Sequence, residues 1–248
     1  DISASAFDLA DRLQTPIFVM LDLDIGMNER LCEPLAWDDR RSYDRGKILS
    51  KDSLENSSEI GRYQDIDGDG ITYRTYPGTH PTRGSYFTRG TTKDESGDYS
   101  ESEVNYLANM KRLLRKHETA KFLVPSPIIK YRSSSRKYSA IYFGSTSPAM
   151  AETLESLSSE ALEINSLRIR AFPFSKEIIA FIEQHDQVFI IEQNRDRQLR
   201  TLLLNEFEME SDKLVSILHY DGTPITSRFI KSKILEYVKT KVRKRSSK

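Results

Sequence analysis

The chain has 248 residues, enough for one large domain or two modest ones. Its 37 basic and 37 acidic residues cancel, and this zero net charge excludes a uniformly basic nucleic-acid binder and a strongly acidic solvating protein. One cysteine, Cys32, excludes an internal disulfide, a cysteine-based zinc site and an all-cysteine iron–sulfur cluster in this chain, and it favours a reducing compartment.

No apolar run reaches the ~18 residues of a membrane span, and no signal peptide opens the chain. We therefore expect a cytoplasmic protein whose partners include neither a membrane nor a nucleic acid. Because the chain starts on Asp1 rather than Met, we expect a processed N-terminus or a piece of a longer protein.

Residues 1–28 predict a helix followed by a strand. Phe7, Ala10 and Leu13 share one helical face, and Pro16 ends the helix. The continuous apolar run at residues 17–21 is typical of a buried strand. Because one strand cannot form a sheet, its neighbours are expected in a missing part of the protein or in a partner.

Residues 29–100 are rich in Asp, Arg, Gly, Tyr, Ser and Thr and have no sustained period. Such a long irregular segment is improbable in a compact domain unless it is functional. Residues 101–124 form the clearest predicted helix, ended by Pro125 and followed by a polar linker to residue 137. Its apolar positions recur every three or four residues, at Val104, Leu107, Met110, Leu114 and His117.

Residues 138–248 alternate between strand and helix patterns. Strands are predicted at residues 138–143, 167–171, 187–192 and 214–218, and helices at residues 148–157, 175–184, 197–208 and 227–242. This alternation predicts an α/β domain with a parallel sheet covered by helices. Right-handed crossovers would place the loops after the strands along one edge of the sheet.

An acidic turn offers a candidate metal site. Asp65, Asp67, Asp69 and Gly70 match the start of an EF-hand calcium loop, but Tyr76 stands where the closing Glu is required. The turn also resembles the start of the thiamine-diphosphate Mg²⁺ motif, but no Asn follows at the required ~25 to 30 residues. We therefore predict no metal site and favour a turn ordered by Asp side-chain hydrogen bonds.

The loop at residues 79–90 carries the candidate binding residues His80, Arg83 and Arg89 beside flexible glycines. An arginine at a loop tip can pair with a carboxylate or phosphate through two N–H groups. Ordinary surface arginines in glycine turns are the alternative interpretation. We assign no catalytic residue, because no nucleophile elbow is present and the four histidines lack metal spacing.

Polar side chains also follow several predicted strands. Asp22, Asp24 and Asn28 come after the first strand, residues 144–148 open a helix, and residues 192–194 end a later strand. Ligand binding and helix capping both fit these positions. The basic residues at 239–248 fit either a solvated terminus or a contact with RNA, a membrane surface or an acidic partner.

Several short segments of the sequence match a known protein family. They lie at residues 8–12, 22–28, 67–71, 73–75, 77–81, 86–90, 192–196, 198–200 and 219–226, in family order along nearly the whole chain. With these strings the chain resembles the alpha subunit of 2-oxoacid:ferredoxin oxidoreductases, most closely the 2-oxoglutarate type. A departure is Arg197, because many relatives have a small residue there.

The resemblance implies a domain plan. Residues 1–28 would be the end of a pyrimidine-binding domain of a thiamine-diphosphate enzyme, residues 29–137 an irregular excursion with a linker helix, and residues 138–248 a transketolase C-terminal-like domain. Family alpha subunits are longer at the N-terminus, and the part that carries the pyrimidine-contacting Glu has no counterpart in this sequence. The chain would then be the C-terminal portion of an alpha subunit.

The resemblance also implies oxidative decarboxylation of a 2-oxoacid to an acyl-CoA, with electrons passed to ferredoxin. The full hetero-oligomer would use thiamine diphosphate, Mg²⁺, coenzyme A and a 4Fe-4S cluster, held mostly by the beta subunit or by the missing part. None is expected to bind tightly to this chain, which would be inactive alone. His80, Arg83 and Arg89 would position the distal carboxylate of the substrate or a coenzyme A phosphate. The alternatives are a non-catalytic subunit-interaction module and a calcium- or basic-tail-binding protein.

Overall fold

A computed structural model describes residues 2–29, 31–36, 38–56, 60–86 and 88–246, with backbone only for residues 242 and 244–246. It divides into two compact units, one made of Asp1–Met20 with Cys32–Val124, the other of Leu21–Leu31 with Pro125–Lys248. Among the described helices, none is long and apolar enough to cross a membrane.

The helices are α1 (Ile2–Leu13), α2 (Leu23–Gly26), α3 (Lys51–Asn56), α4 (Glu103–Ala120), α5 (Thr146–Ser158), α6 (Lys176–Glu183), α7 (Gln198–Phe207) and α8 (Ser227–Ser246). The strands are β1 (Ile128–Lys130), β2 (Tyr138–Phe143), β3 (Asn165–Ile169), β4 (Gln187–Glu192) and β5 (Leu214–Leu218).

The second unit is built on one sheet with the strand order β1-β3-β2-β4-β5. β2 to β5 run parallel, and β1 pairs antiparallel with β3 at the edge. The central strands are apolar without alternation because helices bury both of their faces. Ala140 and Tyr142 pack with residues of α5 and α8, whereas Ile141 packs with α6 and α7.

The predicted α/β class and parallel sheet are confirmed. β3 begins and ends two residues earlier than the predicted 167–171. The sequence pattern missed its start because Asn165 and Ser166 are polar, although both are buried. β1 lies in the predicted linker, since a three-residue strand has no period to recognise. α8 continues past residue 242 to Ser246, and residues 247 and 248 lie outside the described residues. The three domain boundaries stay a prediction.

The first unit has a small apolar core made by α1, α4 and the excursion. Leu9, Leu13, Ile71 and Ala120 are buried in it. Basic side chains hold the excursion together by donating to main-chain carbonyls: Lys47 to Ile71 at 2.9 Å, Lys93 to Gly90 at 2.9 Å, Arg112 to Gly70 at 3.0 Å, Lys116 to Gln14 at 3.2 Å, and Arg83 to Leu54. Such bonds satisfy carbonyls that strand pairing would satisfy in a sheet.

The predicted buried strand at residues 17–21 is wrong. The backbone there belongs to no described strand, and Phe18 and Met20 are each 83% exposed. The apolar composition of residues 17–21 indicated burial in a sheet. Among the described residues, however, no strand pairs with this segment.

Candidate functional site

The strand order of the parallel sheet reverses between β2 and β4, and such a reversal leaves a crevice between the loops that follow the two strands at the carboxyl edge. The chain leaves β2 for β3 on one side and later returns to β4 on the other side. α5 follows β2 on one face, and α7 follows β4 on the opposite face. Ligands of open α/β sheets bind at such a switch in strand order.

Gln193 joins the two loops that border this crevice. Its Nε2 donates to Ser145 Oγ at 2.9 Å and to Thr146 Oγ1 at 3.2 Å. Its Oε1 accepts the backbone N–H of Ile225 at 3.4 Å. Ser145 Oγ donates in turn to the carboxylate of Asp22. The side chains predicted at three separate strand ends therefore meet in one polar cluster.

The neighbours of Gln193 have capping roles. Glu192 is fully buried, and its carboxylate accepts the backbone N–H groups of Leu199 at 2.7 Å and Arg200 at 3.2 Å, at the start of α7. Asn194 Nδ2 donates to the same carboxylate at 2.9 Å, and Asn194 Oδ1 accepts the N–H of Gln198 at 3.2 Å. Of the two interpretations left open for residues 192–194, capping holds for Glu192 and Asn194.

Asp22 also has a capping role. Its Oδ1 accepts the N–H of Ile25 at 3.0 Å at the start of α2. Ser145 is partnered by this carboxylate and by the amide of Gln193, neither of which is the imidazole or amine that activates a serine nucleophile. The Ser145 hydroxyl and the Gln193 amide therefore hold the loops at the crevice together through hydrogen bonds to one another, to Thr146 and to Asp22.

The predicted binding loop in the first unit is ordered by its own residues. His80 Nδ1 accepts the backbone N–H groups of Thr82 at 3.2 Å and Arg83 at 3.0 Å, so this nitrogen carries no proton. The guanidinium of Arg83 donates to the Leu54 carbonyl. His80 and Arg83 thus lie together and shape the loop, a role that residue spacing could not reveal.

Arg89 differs from these two residues. Its guanidinium carbon lies 5.9 Å from the centre of the Tyr99 ring, and the residue is exposed. Tyr99 OH is bonded to the Glu101 carboxylate, and this hydrogen bond raises the pKa of the tyrosine. Of the three predicted binding residues, Arg89 has the guanidinium best placed to take an anion from solvent. Phe87 of the same string lies outside the described residues.

The acidic turn is occupied by a lysine. Lys47 Nζ lies 2.6 Å from Asp67 Oδ2 and 2.8 Å from Asp69 Oδ1, inside the turn. Asp65 accepts the N–H of Gly70 and pairs with Arg115 Nε, both at 2.9 Å. The ammonium group thus takes the place that a calcium ion would need.

These pairings shift the ionisation of the turn. Burial disfavours the charged form of Lys47, but the hydrogen bonds to Asp67 and Asp69 outweigh it and raise the pKa of the lysine. The hydrogen bond from Lys47 lowers the pKa of Asp67. Within the described part of the chain, no three His, Cys, Asp or Glu side chains group so as to hold a metal.

The comparisons with known proteins point to a fold. No protein-family model and no curated protein matches this sequence. The chain is similar to a solved structure of 2-oxoglutarate:ferredoxin oxidoreductase from Magnetococcus marinus with 2-oxoglutarate, coenzyme A and succinyl-CoA bound. The TM-score is 0.78 at 19% identity, over 92% of this chain and 38% of that chain. At this identity the likeness shows a shared fold, and this chain spans little more than a third of the other protein.

A second match is an alpha chain of a probable 2-oxoacid ferredoxin oxidoreductase from Thermoplasma acidophilum, at 19% identity over 46% of this chain and 97% of that chain. Its TM-score of 0.32 is too low to support a shared fold.

Proposed function

We propose that this chain is the C-terminal portion of the alpha subunit of a 2-oxoacid:ferredoxin oxidoreductase of the 2-oxoglutarate type. The observation that carries the proposal is the fold shared with the Magnetococcus marinus enzyme over 92% of this chain. The family strings quoted above agree with it. The assembled cytoplasmic enzyme would decarboxylate a 2-oxoacid oxidatively, form an acyl-CoA and pass electrons to ferredoxin.

The redox and thiamine chemistry would be supplied by other parts of that assembly. The single cysteine cannot hold a 4Fe-4S cluster, and the carboxylates of the acidic turn are paired with Lys47 and Arg115 rather than free for Mg²⁺. The described residues therefore do not fit these groups, and we assign them to the beta subunit or to the rest of the alpha subunit.

Within this chain we assign anion recognition to the loop with His80, Arg83 and Arg89. Arg89 would pair with the distal carboxylate of 2-oxoglutarate or with a coenzyme A phosphate, through two parallel N–H bonds. His80 and Arg83 would hold the loop shape through the contacts described above. The three residues would bind and orient, and none would transfer a proton.

The test is reconstitution of the complete enzyme from the beta subunit and an alpha subunit that includes this chain. We expect dye reduction that depends on both 2-oxoglutarate and coenzyme A and that disappears when this 248-residue segment is deleted from the alpha subunit. Pyruvate, which lacks a distal carboxylate, serves as the control substrate and should support much slower reduction. An assembled complex that reduces dye with no 2-oxoacid would refute the proposal.

A second candidate function is a non-catalytic subunit-interaction module. The large exposed apolar side chains on α4 and at residues 18–21 favour it. This alternative predicts that the chain enters a complex whose activity does not respond to substitution of Arg89.

A further inference from the structure

Helix α4 packs against its own unit with its polar face, whereas a surface helix ordinarily packs with its apolar face. The side of the helix that packs against its own unit is polar: Arg112 donates to the Gly70 carbonyl at 3.0 Å, and Lys116 donates to Thr15 Oγ1 at 2.5 Å. The approach is close, because a Cβ on Gly70 would collide with the backbone nitrogen of Lys116. Asn109 bonds the Lys93 carbonyl on the same side. The polar face is therefore the inner face of the helix.

The apolar face points outward. Four side chains spaced by three or four residues form a stripe, hereafter the α4 stripe: Val104 (70% exposed), Leu107 (54%), Met110 (37%) and Leu114 (68%). Helices in proteins gain most of their stability by burying such a stripe. A contiguous exposed apolar patch of this kind marks an interaction surface.

The charges on the α4 stripe indicate what covers it. Lys111 lies in the middle of the stripe, and Glu103 and Glu118 lie near its two ends on the same face, about two turns away on either side. Glu118 is paired with Lys121 at 2.7 Å. Within the described residues Lys111 has no hydrogen-bond or ion-pair partner, and its neighbours on the stripe are Leu107 and Leu114. Arg115, one turn further along, is already paired with Asp65 at 2.9 Å.

A second copy of the chain is a poor match for this pattern. Antiparallel pairing of two α4 helices about the centre of the stripe would bring the two Lys111 side chains together and Glu103 towards Glu118. Parallel pairing would set every charge against its own copy. Both arrangements align like charges, which costs affinity and selects against the wrong partner.

We infer that the α4 stripe is the docking surface for a companion polypeptide of different sequence, which presents aliphatic side chains with an acidic side chain opposite Lys111. The aliphatic groups would supply the apolar burial, and the carboxylate would pair with the lysine and fix the register. The inference does not depend on the activity proposed above, because it rests on the exposure and charge of α4 alone.

The test places a photo-cross-linking amino acid at Leu107 in the complete native protein within its complex. Ala108, an exposed residue beside the stripe, is the matched control position. We expect a cross-link from position 107, several-fold stronger than from position 108, to a segment of another polypeptide that carries aliphatic residues and an Asp or Glu. Cross-links to a second copy or to the same chain, or equal yields from both positions, would overturn the inference.

A charge exchange then tests the role of Lys111. Lys111→Glu should weaken the complex about tenfold, and replacing the acid in the cross-linked segment by Lys should restore binding in that variant. Because Lys111 is exposed, the melting temperature of the isolated chain should not change. Unchanged binding of Lys111→Glu, or failure of the paired replacement to restore binding, would overturn the assignment of an acidic partner.

Discussion

The buried carboxylate of Glu192 accepts the backbone N–H of Leu199 at 2.7 Å. This contact joins the end of β4 to the first turn of α7, so the strand supplies the cap for the helix that follows it. It also fixes the adjacent Gln193, whose amide bridges the loops on both sides of the crevice. Capping and site geometry therefore depend on one side chain.

We expect Glu192→Gln to lower the free energy of unfolding by about 2 kcal/mol, because the new NH₂ group would face backbone N–H donors without an acceptor. Urea denaturation followed by circular dichroism measures this loss. Glu177→Gln, an exposed residue in the first turn of α6, is the control and should change stability by less than ~0.5 kcal/mol. Equal effects of the two substitutions would contradict the capping role.

Arg197 adopts a left-handed backbone conformation, with φ 57° and ψ 40°, at the N-terminus of α7. Side chains with a Cβ are disfavoured there by roughly 1–2 kcal/mol. We therefore expect Arg197→Gly to stabilise the protein by up to about 1 kcal/mol in thermal unfolding. Arg195→Gly, at a neighbouring exposed position without positive φ, should be neutral or destabilising. If Arg197→Gly is no more stable than Arg195→Gly relative to the wild type, the left-handed conformation of Arg197 carries no strain.

His185 is buried between Asn165 and Phe181. Its Nδ1 lies 2.7 Å from the Phe181 carbonyl and its Nε2 lies 3.0 Å from Asn165 Nδ2, so the neutral ring donates at Nδ1 and accepts at Nε2. Burial lowers the pKa of His185 below its ordinary value of 6.5. The unfolded chain therefore binds a proton more readily, and stability should fall as the pH drops below about 6.5.

Stability measurements between about pH 7 and pH 5 check this pH dependence. In His185→Gln the dependence should be reduced, whereas in His117→Gln, a substitution of a partly exposed histidine, it should be retained. An imidazole pKa at or above 6.5, measured by NMR in the folded protein, would contradict the prediction.

The sheet could be predicted from the sequence because its signals are local. Apolar runs such as residues 138–143 and 187–192 are buried on both faces and alternate with helical periods, so each element is visible without its neighbours. The same local signal misled at residues 17–21 and left the partner of α4 open. A periodic apolar face shows that burial is needed but not what provides it.

The site was less predictable because its contacts are remote in sequence. Lys47 fills an acidic turn that starts 18 residues later, and Gln193 reaches Ser145 across 48 residues. Arg83 and Arg89 look equivalent in the sequence, and the carbonyl of Leu54 distinguishes them. Residue type and spacing therefore predicted where the polar loops lie, but they did not predict which contacts each side chain makes.

Lys47 is predicted to be the counter-ion that holds the acidic turn. We expect Lys47→Met to unfold at lower urea concentration near neutral pH, because Asp67 and Asp69 would then repel each other. The pKa of Asp67 is lowered from 3.8, so its contribution is present above that pH and is lost as the pH falls through the lowered pKa. The difference between the wild type and Lys47→Met should therefore shrink between about pH 6 and pH 2. A difference that is constant with pH would contradict the ion pairs.

Substitutions of Arg83 and of Arg89 should have different effects in the reconstituted enzyme. Arg89→Ala should raise the KM for 2-oxoglutarate or coenzyme A about tenfold or more with little change in melting temperature, because an exposed bidentate donor is lost. Arg83→Ala should instead lower the melting temperature, because its guanidinium holds the Leu54 carbonyl. Arg89→Lys retains the charge but loses the paired N–H geometry, so its KM should lie between those of the wild type and Arg89→Ala. Unchanged KM values for both ligands in Arg89→Ala would remove this residue from the binding site while leaving the role of Arg83 in the loop intact.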